Sequence, residues 1–150
     1  MANISNDLRR LAAFSICAQL DHTSSPYAVR EALTNLIYAS IPGATIRESD
    51  GFMSNKNHTL SINMPDYSSN WVVIISEDMI RERGHNCIKA YHLNSGINFD
   101  QVYSSPYSDM EFHEAYQKIC GESHKLLLGY HIFLSPEALV IEMLCKMPRN

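Results

Sequence analysis

Two pairs of residues in this chain have the types that could bind a metal or attack a substrate. His85 and Cys87 are separated by one residue, and Cys120 and His124 by three. Imidazole and thiolate both suit zinc, so these four side chains form a candidate metal set. Structural zinc sites more often use two tight pairs with turn glycines between the ligands. The expectation is therefore a chain without bound metal or other cofactor, with Cys120 as a small apolar residue inside a helix and the histidines at the surface. The same residues raise the question of a nucleophilic cysteine, which needs a lowered pKa from a helix N-terminus or a nearby imidazole. Cys17 sits too far along its helix for that. Cys87 is better placed, just past a glycine helix exit and near His85.

Other catalytic patterns are incomplete. Paired phosphoesterases set a hydroxyl residue two positions after a strand histidine, but Leu60 follows His58 and Phe133 follows His131 at that distance. His113-Glu114 lacks the second histidine of a zinc-protease helix. There is no phosphate-cradling glycine loop and no nucleophile elbow. A catalytic role would rest on Cys87, His85 or His131 alone. Aromatic residues offer a different chemistry. Tyr91, Phe99, Tyr103 and Tyr107 lie between a strand and the next helix, and could line a pocket or form a protein-binding patch. Tyr103 and Tyr107 sit in the polar stretch Asn94–Tyr107, and long loops of this kind often carry function.

These residues need a scaffold, and the chain encodes one. Thr59 to Met64 alternates, so Leu60, Ile62 and Met64 share a strand face. Pro65 to Asn70 has turn chemistry. Trp71-Val72-Val73-Ile74-Ile75 is apolar throughout, as in a strand covered on both faces. A first helix starts near Ser5 and carries Leu8, Leu11, Ala12, Ser15 and Ile16 at helical spacing. A second has Ser25 as cap, Pro26 at its first turn and a stripe of Val29, Ala32, Leu33, Leu36 and Ile37. A strand follows over Ala44 to Glu48, then a polar loop to Asn57. Ser76 to Gly84 reads as a short helix with acids first, arginines last and a glycine exit. Cys87 to Leu93 alternates as a strand on which His85 and Cys87 would share a face. Ser108 and Glu111 form a capping box for a further helix. Lys125 to Leu134 is a strand, and Ser135-Pro136-Glu137 opens a last helix. Three strands in near succession, with helices before and after, predict one α+β domain over residues 1–150. It should hold a mainly antiparallel sheet of about five strands flanked by helices.

The bulk numbers bound the function. A chain of 150 residues is one ordinary domain, and 45 % hydrophobic against 19 % charged residues fits a globular core. A net charge of −4 gives no general attraction to phosphate backbones. Arg9-Arg10 and Arg81 with Arg83 are short basic pairs of the kind a solvated helix face carries. No nucleic-acid partner is expected. No apolar run approaches a membrane span and no secretory signal is visible. Four separated cysteines do not form a disulfide framework, so a cytoplasmic location is the expectation.

Residues 7–53 also resemble the opening of a GAF-type sensory domain. The resemblance rests on Ala32-Leu33-Thr34-Asn35-Leu36-Ile37, then Pro42-Gly43-Ala44-Thr45-Ile46, then Asp50-Gly51. It covers about a third of the chain, and the family's later small-residue and proline landmarks are missing. It implies a small-ligand pocket on one sheet face, or a signalling or dimerisation role. With no complete catalytic set, the chain reads as a non-catalytic binding or regulatory module for a protein partner or small ligand. Apolar residues on the outer side of the first two helices could mark a homodimer surface. The alternative is a small enzyme using a cysteine or histidine in a cleft.

Overall fold

The computed structural model describes residues 2–49, 57–65, 69–94 and 127–147. Five strands form an antiparallel meander: β1 (Thr45–Ser49), β2 (Asn57–Asn63), β3 (Ser69–Ser76), β4 (Ile88–Asn94) and β5 (Leu127–Leu134). They lie in chain order across the sheet. Four helices complete the described residues: α1 (Ala2–Ala18), α2 (Pro26–Ser40), α3 (Glu77–Arg83) and α4 (Pro136–Cys145). The α+β expectation is met. The capping-box helix at Ser108 lies outside the described residues.

The helices form where local chemistry dictates. Ser25, Ser76 and Ser135 each cap a helix by accepting from a backbone N–H three residues on. Pro26 and Pro136 sit in first turns, where no N–H is missed. α3 ends at Gly84, whose φ of +62° favours glycine. His85 and Cys87 therefore lie in the turn before β4 rather than on a strand face as the alternation implied. The helix exit and its turn take up those residues, and strand pairing begins only at Ile88.

The core lies between α2, α4 and one face of the sheet. Val29, Ala32, Leu33, Leu36 and Ile37 of α2 are all buried, as their stripe predicts. They meet Leu60, Ile62, Trp71, Val73, Ile75, Ile88 and Ala90. On β3, Trp71, Val72, Val73 and Ile75 are fully buried. Val72, Tyr91 and Leu93, with Thr59 and Ser61, are buried on the opposite face, apart from the cluster that joins the helices. α1 departs from expectation. Its core residues are Ala13 and Cys17, while Leu8, Leu11 and Ile16 are 61 %, 65 % and 51 % exposed. α1 is apolar on two sides, so helical spacing alone did not select the buried one.

β5 carries two irregularities against β4, between Ile88 and Ala90 and between His92 and Leu93, and the first matters below. Ile88 pairs with Leu134 and Ala90 with His131, so three steps on β5 match two on β4. The extra residue lies at Ile132–Phe133, and Phe133 has a φ of +64°. The Arg83 guanidinium stacks 4.0 Å over its ring. Without that bulge, His131 and Leu134 would point to opposite faces.

Leu36→Ala should cost about 2–5 kcal/mol in urea unfolding, because Leu36 is fully buried between helix and sheet. Ser135→Ala should cost only about 1 kcal/mol, the loss of one cap. Equal losses would contradict this placement of the core.

Candidate functional site

Three rings from three adjacent strands meet on the helix-facing side of the sheet. Trp71 on β3 pairs in register with His92 on β4, which pairs with Gly129 on β5. Trp71 and His92 stack with centroids 4.3 Å apart and planes 13° from parallel. His131 joins at 6.1 Å from Trp71 and 26°. Gly129 makes room for it. A Cβ there would lie 3.3 Å from His131 Nε2 and 3.8 Å from His92 Cβ. The bulge turns His131 toward this face, and the glycine leaves its ring space.

The stack is buried but not satisfied. Trp71 is fully buried and His92 is 5 % exposed. Trp71 Nε1, both ring nitrogens of His92 and His131 Nε2 are buried with no hydrogen-bond partner among the described residues. Leaving such a group unpaired costs about 1–3 kcal/mol. Most buried polar atoms in native proteins have partners, so four orphans in one stack require a reason. An indole N–H can only donate, and a neutral imidazole offers one donor and one acceptor. Desolvation, reinforced by the Lys146 ammonium and by His131, pushes the His92 pKa down to about 4. His92 is thus neutral at neutral pH and too weakly basic there for efficient proton abstraction. The arrangement suits holding a polar group rather than reacting with it.

Of the residues singled out from sequence, His131 joins the stack, and the other described ones fall elsewhere. His85 Nδ1 donates to the Leu20 carbonyl at 3.1 Å, and Nε2 lies 2.6 Å from Glu137 Oε2. It joins the α1–α2 turn, the turn before β4 and the first turn of α4. Neither ring nitrogen is directed at Cys87. Burial raises the Cys87 thiol to about 11. Burial, with the Glu137 carboxylate, raises Cys17 to about 12, and the Cys17 thiol donates to the Ala32 carbonyl at 3.5 Å. Both shifts run opposite to thiolate activation. No group of three histidine, cysteine or acidic residues among the described residues could hold a metal ion.

Cys120, His124, Phe99, Tyr103 and Tyr107 lie outside the described residues. Tyr91 is buried on the opposite sheet face and stacks on Tyr130 at 4.7 Å. The expectation that histidines sit at the surface fails at His92, whose strand packs beneath the helix layer. One signal was present in the sequence. Ile88, Ala90 and His92 share a period-two face, so a histidine extends an apolar row. Its meeting with Trp71 depended on register. No family model, curated protein or solved structure matches this chain.

A buried neutral histidine makes stability fall with acid. Between the ordinary value of 6.5 and about 4, the unfolded chain binds a proton at His92 that the folded chain does not. Stability contributed here is complete above pH 6.5 and is lost as pH falls toward 4. His92→Phe should flatten the melting temperature against pH over that window. It should also leave stability at pH 7 equal or higher, since an apolar ring replaces an unpaired polar one. An unchanged pH slope would show that His92 is not held neutral.

Proposed function

We propose that this protein is a non-catalytic binding or regulatory module, and that the Trp71–His92–His131 stack is its small-ligand site. What carries the reading is the set of orphaned ring nitrogens on the helix-facing side of the sheet. A polar cluster that weakens the fold and serves no internal bond is what a recognition site costs its scaffold. The reactive groups fit the same reading. The described buried thiols are raised in pKa, and His85 is committed to a backbone carbonyl and a carboxylate. A small enzyme would need a nucleophile or base in a usable state, so it stays the weaker alternative. The GAF-type resemblance of residues 7–53 points toward a ligand pocket on a sheet face as well. No helix among the described residues is long and apolar enough to cross a membrane. A cytoplasmic setting suits the free cysteines Cys17, Cys87 and Cys145.

Trp71 is the single tryptophan of the chain, so emission excited beyond the absorption of its eight tyrosines reports this stack. A panel of small alcohols, amides, carboxylates and nucleosides should include a class that changes the emission saturably. The same class should raise the melting temperature in step with its occupancy. Silence across the panel in both readouts would end the small-ligand reading.

A protein partner, most simply a second copy, is favoured by the outer side of the first two helices. Leu8, Leu11 and Ile16 on α1, with Tyr27 and Tyr38 on α2, are exposed there. Exposed apolar groups that lie together mark interaction surfaces in soluble proteins, and Leu8 and Leu11 are neighbours on one side of α1. Sedimentation should find a concentration-dependent dimer that Leu8→Lys with Leu11→Lys converts to monomer. A wild-type chain that stays monomeric at high concentration excludes the homodimer.

A further inference from the structure

We infer that the Trp71–His92–His131 stack takes a small molecule bearing a carboxylate, whose oxygens accept from the indole and imidazole N–H groups. This rests on the stack being the ligand site proposed above. The donor inventory comes first. Trp71 Nε1 donates and cannot accept, and each imidazole brings at least one N–H. A carboxylate is the common organic group that only accepts, with two oxygens able to take several donors. It therefore fits the indole without reserve and dictates the tautomer of each histidine.

The local field gives the second argument. Among the described residues, the charged and titratable groups that act on His92 are Lys146, at the end of α4, and His131, on β5. Both are basic, and no acidic side chain is among them. Trp71 on β3 adds a donor and no charge. An ammonium ligand would meet repulsion here. A metal ion would find two histidines, and no third ligand of that kind among the described residues. An anion meets attraction, and hydrogen bonds to an ionised acceptor are roughly twice as strong as neutral ones. The nearest competitor is a primary amide, which has the same shape and could pair its oxygen with Trp71 and its N–H₂ with an imidazole nitrogen. Charge separates the two.

The test uses propionate, propionamide and propylamine as probes on the full chain, at constant ionic strength set with chloride. Trp71 emission is the readout. Propionate should give a saturable change, with propionamide about tenfold weaker, the gap between a charge-assisted and a neutral hydrogen bond. Propylamine should give none. Lys146→Gln should weaken propionate several-fold and leave propionamide unmoved. His92→Phe should abolish the propionate response while a cooperative melt shows that the variant is folded. His131→Gln, which keeps an amide donor, should retain part of the affinity. If propionamide binds as well as propionate, or Lys146→Gln changes nothing, the carboxylate assignment falls while the ligand site stands. If no probe binds and the wider panel is also silent, site and ligand class fall together.

Discussion

The pairing of β3 with a strand on each side is the constraint from which the rest of the domain follows. Leu60, Val73 and Ala90 lie in one row across the sheet, and Ser61, Val72 and Tyr91 in the next. The first row belongs to the helix-facing core, and the second is buried on the other face. A slip of one residue would exchange the rows. It would move Trp71 away from the helices and bring Tyr91 beneath them. Because both faces of β3 are covered, neither exchange is neutral. The same register that builds the core sets Trp71 against His92.

The ring stack works against the stability of the surface that holds it. Each neighbour on that face, from Ile62 to Ile88, gains by leaving water. The indole nitrogen, both His92 nitrogens and His131 Nε2 lose their water partners and gain none among the described residues. Three features hold the stack in place regardless. The Trp71–His92 register is enforced along the length of β3 and β4. The bulge at Ile132–Phe133 turns His131 inward, and Gly129 clears its path. Folds carry such local conflicts mainly where a site needs them.

By contrast, His85 is structural, with both ring nitrogens bonded. It links the α1–α2 turn, the α3–β4 turn and α4, three segments far apart in sequence. A histidine beside a cysteine in sequence invites a catalytic reading. The helix exit at Gly84 instead places His85 where a carbonyl and a carboxylate both wait. Chemistry-bearing residues are thus poor guides until their surroundings are known, since the same imidazole serves as clasp or as site.

Much of the scaffold was legible in the residues themselves. The capping serines, the early prolines, the α2 stripe and the all-apolar run of β3 are local signals, and local signals decide local backbone. They determined that helices and a mainly antiparallel sheet would form, and which side of α2 would be buried. They left open which apolar side of α1 faces the core, since both sides qualify and only neighbours choose. Nor could they disclose the ring stack. Its members come from three strands up to sixty residues apart, Trp71 to His131. Their meeting depends on register, on one bulge and on one missing side chain at Gly129. Those are properties of strands packed together, and no single segment contains them.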